Sequence, residues 1–304
     1  MALGILAIGG YLPKARLQRT DIANANAWFN PALKGLANGE RTMANWDEDS
    51  VTMAVEAGRD CLTGIDRNIV VGIYMASTSF PFQDRQNAGI VADALNLSTR
   101  IQTLDISSSQ RAGSSALLTA LLSVHSAEGP ILVSASEKRR ARAASPLELT
   151  TGDGAAAVLV GEGEPIAHYI GGHTEAVDFV DHYRGEGEAF DYNWEERWVR
   201  DEGYMKIAPN AINNLLDKVG VSAQDIDTFC FPVAMRRVAS SLARKIGIAE
   251  ESVADNLQSS CGETGSAHAL VLLVHALEQA KPGEKILVAG FGQGCDVLLF
   301  EATD

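Results

Sequence analysis

The chain carries the same plan twice. The stretches DISSSQRAGSSALLTALLSVHSAEGPILVSAS (105–136) and NLQSSCGETGSAHALVLLVHALEQAKPGEKILVAGF (256–291) each pass from small and polar residues through a glycine-containing turn into a long apolar helix, and each ends on an Ile-Leu-Val strand. They lie about 150 residues apart in a chain of 304, and such self-similarity means that the second unit must bury the same faces as the first. The match extends upstream. IDRNIVVGIYMAS (65–77) pairs with DIDTFCFPVA (225–234) as a strand ending in a loop. NAGIVADALNL (87–97) pairs with RRVASSLARKIGI (236–248) as a short amphipathic helix, and SVTMAVEAGRDCL (50–62) with APNAINNLLDKVG (208–220) as a helix before the strand. GAAAVLVGEG (154–163) and DVLLFEA (296–302) each close their half as a strand. Each half reads helix, strand, helix, strand, helix, strand, strand, which predicts mixed or mostly parallel sheets covered by helices.

The helices AGSSALLTALLSVHS and GSAHALVLLVHALEQA are apolar or small on nearly every side. A helix with no polar face is buried all round, so two of them, one per half, predict a central layer between two sheets. Residues 164–206 break the repeat with His168, His173, His182, Tyr192, Trp194, Trp198 and many charges, and read as an insertion or cap. The expected division is 1–163, an insertion 164–206, and a second half 207–304.

Composition narrows the function. Hydrophobic residues make up 46% and the formal charge is −14; an acidic chain repels phosphate backbones, which argues against nucleic acid as a general partner. No apolar run reaches membrane-spanning length, and MALGILAIGGYLPKARL has no charge before its apolar run, so it reads as a first strand rather than a signal peptide. The four cysteines, Cys61, Cys230, Cys261 and Cys295, show no CxxC spacing, and reduced thiols in a cytoplasmic protein are expected.

Five stretches carry a resemblance: GILAIGGYLPKARLQRTDIA, DEDSVTMAVEAGRDCL, SQRAGSSALLTAL, TTGDGAAAVLV and GFGQGCDVLLFEA. They are similar, in order, to the opening strand, first helix, nucleophile turn, closing strand of the first half and closing hairpin of the thiolase superfamily, in the branch of hydroxymethylglutaryl-CoA synthase and β-ketoacyl-ACP synthase III. The resemblance covers nearly the whole chain and implies a duplicated five-layer α-β-α-β-α sandwich. It also implies acyl-CoA or acyl carrier protein thioesters as substrates, no permanently bound cofactor, and a homodimer paired through strands of the first half. In most members a cysteine takes the acyl group while a histidine and an asparagine or second histidine help to hold an enolate. A thiolate at a buried helix N-terminus is favoured by unpaired N–H groups and the helix dipole.

Carried over position by position, the four familiar residues all differ. The cysteine falls at Gln110, the histidine at Cys230 in FCFP, the asparagine at Glu263 in GET, and the synthase branch's acidic residue near Thr78 in ASTSF. Gln110 is either a filler in a silent site or an amide donor for a thioester or enolate oxygen. Glu263 is either a general base in an apolar pocket or an acid complementing a helix dipole. Cys230, Cys261 and Cys295 fall on loops where the family builds its site; each is a relocated nucleophile or a small packing residue. Thr264 and Ser266 read as capping and packing residues.

Two basic runs, Lys138, Arg139, Arg140 and Arg142, and Arg236, Arg237, Arg244 and Lys245, are solvated surface or phosphate receivers. If CoA binds, the family layout favours the Arg236 loop and the segment 184–206, with Thr78, Arg236, Arg237, Gly292 and Gly294 as substrate-binding residues. His173, Asp178, Asp181 and His182 are irregularly spaced with no third histidine close by, which argues against a metal. Gly290-x-Gly292-x-Gly294 precedes a strand, not a helix, which rejects a dinucleotide fingerprint.

Two functions remain open. One is Claisen- or aldol-type C–C bond formation or cleavage on acyl thioesters without an acyl-cysteine, with Gln110 polarising a carbonyl and Glu263 or Cys230 moving the proton. The other is a catalytically silent subunit that supports an active thiolase-fold homologue or a carrier. Relatives lacking the cysteine perform aldol cleavage with a small OB-fold/zinc-ribbon partner, so such a partner is also expected.

Overall fold

The computed structural model describes residues 2–303. Its first half comprises β1 (Ala2–Tyr11), β2 (Ala15–Gln18), α1 (Arg19–Asn26), β3 (Glu40–Met43), α2 (Ser50–Cys61), β4 (Gly72–Ala76), α3 (Asn87–Ala94), β5 (Gln102–Ile106), α4 (Ala112–Ala127), β6 (Ile131–Glu137), α5 (Pro146–Thr150) and β7 (Gly154–Gly163). Then follow β8 (Ala167–Ala176), the small hairpin β9 (His182–Tyr183) and β10 (Tyr192–Asn193), and the short helix α6 (Glu196–Trp198). The chain ends with α7 (Ile207–Val219), β11 (Thr228–Cys230), α8 (Val238–Ile246), α9 (His268–Leu277), β12 (Lys285–Phe291) and β13 (Gly294–Ala302).

Nine strands hydrogen-bond in the order β11-β12-β13-β8-β1-β7-β6-β4-β5. The order is two copies of one arrangement back to back. In each, parallel strands lie outside (β4 with β5 and β6; β11 with β12) and antiparallel strands lie inside. The copies meet where β1 pairs with β8, among the described residues through Gly4–His168 and Ile5–Ala167. The counterpart of β5 in the second half shrinks to a single parallel bridge, Phe229 to Val253.

Side-chain alternation along the strands divides the core into layers. Ile131, Val133 and Ala135 of β6 and Ile286 and Val288 of β12 face a central core with Leu117 and Leu121 of α4 and Leu270 and Leu273 of α9. Leu132 faces the other way, against Val55 of α2 and Val91 of α3. Leu287 does the same against Leu215 of α7 and Leu242 of α8. The layers are therefore helix, sheet, central helices, sheet, helix, the five-layer sandwich that the sequence resemblance implies. The outer helices are amphipathic; α7 buries Ala208, Ile212, Leu215 and Leu216 and leaves Asn210, Asn213, Asn214 and Asp217 outward. Asp49 and Thr52 start α2 with a reciprocal capping box.

Two sequence expectations change. Residues 167–176, assigned to the insertion, form β8, which runs beside β13 for almost its whole length; it is the second half's own opening strand. Its polar residues Thr174 and Glu175 disguised it. Also, α4 is not buried all round. Thr119, Leu122 and Ser126 form an exposed stripe, with Leu122 70% exposed. α9 is buried from His268 to Val274. Among the described residues no helix is long and apolar enough to cross a membrane.

Candidate active site

Gln110 sits on the turn from β5 into α4, one residue before the Arg111 that precedes the helix. The turn is tight: Ser108 takes a left-handed backbone, φ 71°, and Ala112 N–H donates to the Ser109 carbonyl at 3.0 Å. The closing hairpin β12–β13 lies on this turn. Ser109 Oγ donates to the Gly292 carbonyl at 2.8 Å, and a Cβ at Gly292 would fall 2.9 Å from the backbone nitrogens of Gln110 and Arg111. Gly292 therefore lets the hairpin seat the turn. Gly294 has φ 115°, and a Cβ there would strike the Glu175 carbonyl at 2.0 Å. Both glycines, expected beside substrate, act through this backbone packing.

Gln110 and Glu263 meet. The Gln110 amide Nε2 donates to Glu263 Oε1 at 2.8 Å. Arg139 Nη1 donates to Gln110 Oε1 at 3.1 Å and lies 3.4 Å from Glu263 Oε2. The far side of the Arg139 guanidinium grips Asp191, with Nε to Oδ2 at 2.9 Å. Arg184 reaches the other oxygen of Asp191 at 2.8 Å and also donates to the Thr78 carbonyl. The side chains of Arg139, Asp191 and Glu263 are 5%, 4% and 11% exposed, so this is a buried charge cluster rather than a solvated run. Burial disfavours the Arg139 cation, but Glu263, Asp191 and Glu137 outweigh that and hold its pKa above the ordinary value. Burial likewise opposes ionisation of Asp191, yet Arg139, Arg184 and His182 hold it below the usual carboxylate range. Glu263 thus faces a guanidinium and an amide, not the apolar wall expected for a base. Its backbone bonds to Thr150 and Gly152, which fixes it to the first half.

Thr78 does not border the cavity. Its Oγ1 and N–H donate to Glu137 Oε2 at 2.9 and 3.1 Å. Ser266 Oγ and N–H reach the same oxygen at 2.7 and 3.2 Å. Glu137 is fully buried and ties the end of β4 to the turn before α9. An acid does stand beside Thr78, but it comes from the end of β6.

Gln110, Arg139 and Glu263 line a cavity of about 1190 Å³. Its wall also holds Asp181, His182, Tyr204, Phe291, Trp194 and the cations Arg19, Arg197, Arg200 and Arg236. Arg236 and the segment after 180 therefore share one cavity. Arg237 does not line it; with φ 63° it precedes α8.

The thiols stand apart from this wall. Cys230 is fully buried in the central core, with Sγ 3.7 Å from the Leu272 carbonyl. Burial pushes its pKa up to about 12. Cys261 is buried with its Sγ against backbone carbonyls of Leu257 and Gly262, and burial pushes it up to about 12. Cys61 is likewise raised to about 12, and burial raises Cys295 further. Protonated buried thiols are poor nucleophiles. Iodoacetamide at neutral pH is therefore expected to alkylate no cysteine in the folded protein and all four after denaturation, read by intact mass. Rapid native labelling of Cys230 or Cys261 would reinstate a relocated nucleophile. Among the described residues no three His, Cys, Asp or Glu side chains group as metal ligands.

Residues that the sequence did not single out as a set are Glu137, Arg139 and Asp191. Arg139 looked like one of several surface cations, and Asp191 lay among many acids; only its place opposite Arg139 gives it meaning. A basic side chain just after an apolar strand was the one available signal.

A mirrored five-layer sandwich with its cavity at the two central turns defines a thiolase-superfamily protein. Residues 216–298 match the family model for the C-terminal part of 3-oxoacyl-[acyl-carrier-protein] synthase III. The hydroxymethylglutaryl-CoA synthase of Caldivirga maquilingensis is 31% identical, over 100% of this chain and 89% of that protein. That of Methanosphaera stadtmanae is 30% identical, over 99% and 88%. The chain belongs to the hydroxymethylglutaryl-CoA synthase family. Its fold is similar to a crystal structure of HMG-CoA synthase complexed with CoA (TM-score 0.88, 21% identity, 100% of this chain and 83% of that one). It is also similar to 3-oxoacyl-(acyl carrier protein) synthase III of Pseudomonas aeruginosa (TM-score 0.87, 20% identity, 100% and 98%).

Proposed function

We propose that the chain binds acyl-CoA or acyl-carrier thioesters in the cavity and makes or breaks a carbon–carbon bond beside the thioester carbonyl, by Claisen- or aldol-type chemistry with no acyl-cysteine. The observation that carries the reading is the Gln110 amide on the cavity wall. One of its two N–H groups is given to Glu263. The second has no protein acceptor among the described residues, so it is left for a ligand oxygen. A preorganised donor of this kind stabilises the oxyanion of an enolate and does not itself need to react. Arg139 and Glu263 fix the amide's orientation, since one binds its oxygen and the other its nitrogen. Arg197 and Arg236 place cations on the cavity wall that could meet the phosphates of CoA, beside Arg200, which is paired with Asp201, and the acids Glu195 and Glu196. The family membership supports this substrate class.

In this reading the protein works as a homodimer. β5 is the edge strand of the sheet and has one unpaired side, which a second copy would cover. It also works with a carrier or a small OB-fold/zinc-ribbon partner.

The test is incubation of the purified protein, with and without co-purifying partners, with acetyl-, acetoacetyl-, malonyl- and 3-hydroxyacyl-CoA. Free CoA, product masses and protein mass are followed. New C–C bonded or cleaved products with no protein adduct are expected. No binding and no turnover in any combination would establish the silent-subunit reading instead.

A further inference from the structure

The cavity contains a histidine paired with an aspartate. His182 and Asp181 both line it, with side chains 18% and 11% exposed. His182 Nδ1 lies 3.1 Å from Asp181 Oδ1, and the same oxygen accepts the His182 backbone N–H at 2.9 Å. The pair is held on the β9–β10 hairpin, where His182 is opposite Asn193 and the Asp181 carbonyl accepts from Trp194 N–H at 2.8 Å. The hairpin is anchored to the floor of the site by Asp191, which binds Arg139 and Arg184.

Four other proton carriers near the site are engaged elsewhere, and burial holds the Tyr204 phenol on the cavity wall well above its ordinary pKa. Glu263 is held by Gln110 and Arg139. Glu195 caps α6 through the N–H groups of Arg197 and Trp198. His268 is fully buried, with Nδ1 accepting from Thr264 N–H and Nε2 on the Asn256 carbonyl. Cys230 is in the central core. Histidine is the residue type suited to moving protons near neutrality, and the Asp181 carboxylate 3.1 Å from Nδ1 favours the imidazolium that forms when Nε2 takes a proton.

We propose that His182 is the proton-transfer residue of this site, with Asp181 as its positioning residue. The inference rests on the acyl-thioester reading above. His182 Nε2 takes the proton from the carbon next to the thioester carbonyl. The C–H electron pair becomes the C=C of an enolate, whose oxygen is held by the free Gln110 N–H. The imidazolium faces Asp181. When the enolate carbon attacks a ketone, the new C–C bond forms, the ketone oxygen takes the displaced pair, and the imidazolium returns its proton to that alkoxide. Cleavage runs the same steps backwards, so His182 ends neutral either way.

The test follows exchange of the acetyl hydrogens of acetyl-CoA in D₂O by mass spectrometry, which needs no second substrate. Wild-type protein is expected to exchange them. His182→Ala should lose about 100-fold or more of the rate and regain part of it with added imidazole. His182→Gln should be equally slow but keep the native circular dichroism and melting temperature. Asp181→Asn should lower the saturated rate and leave the half-saturating acetyl-CoA concentration unchanged. If wild type exchanges and His182→Ala matches it, this inference fails and the acyl-thioester reading stands. A His182→Ala loss that imidazole does not rescue, together with weaker acetyl-CoA binding, also overturns it and assigns His182 to packing. If wild type binds acetyl-CoA but does not exchange its hydrogens, this inference fails; if none of the four thioesters binds or reacts, with or without partners, both readings fall.

Discussion

Arg139→Ala is expected to destabilise the protein by about 3–5 kcal/mol, because it leaves buried Glu263 without a cation and Asp191 with Arg184 alone. Asp191 and Glu263 are 4% and 11% exposed, and both approach the same guanidinium. Asp191 keeps Arg184, but among the described residues Glu263 keeps only the Gln110 amide for its side chain. Arg139→Lys should recover little. Nε and Nη2 hold Asp191 while Nη1 serves Gln110 and Glu263, and a compact ammonium cannot span both sides. Arg140→Ala, next along and exposed, should change stability by no more than about 0.5 kcal/mol. Urea unfolding of the three variants decides it. An Arg139→Ala midpoint close to wild type would mean that the cluster contributes nothing to the folded state.

The second large effect is catalytic. Gln110→Ala should slow acetyl-CoA hydrogen exchange by about 10²–10³, the loss expected for one preorganised oxyanion donor. Substrate affinity and melting temperature should change far less. Gln110 is only half-buried, and its loss leaves Glu263 paired with Arg139. Gln110→Asn keeps the amide but shortens the arm, so it should break the contact with Glu263 and lose nearly as much rate. An unimpaired Gln110→Ala would remove the amide from the mechanism.

The repeat made most of the architecture legible. A 3.6-residue pattern and a 2-residue pattern recurring in the same order are local properties of the chain, and local order decides which faces must be covered. β8 escaped because its outward residues interrupt the apolar pattern within a region rich in charge. The candidate site was legible only in part. Gln110 and Glu263 stood out because they replace familiar side chains in recognisable turns, and they do meet, although 153 residues separate them. Cys230 stood out for the same reason, yet its side chain turns into the central core, since a strand's alternation, not its loop, sets that direction. Arg139 and Asp191, 52 residues apart, carry no periodic signal. A charge becomes a buried ion pair only when the fold places its partner opposite, and composition cannot tell that from a solvated run.

The hydrogen bond between Gln110 and Glu263 joins corresponding turns of the two copies of the repeat. Simple duplication would have placed identical groups at both ends: two carboxylates that repel, or two amides with no fixed polarity. Here one copy keeps the donor and the other the acceptor. The contact is thus directional across the pseudo-symmetric centre, and each turn supplies what the other lacks.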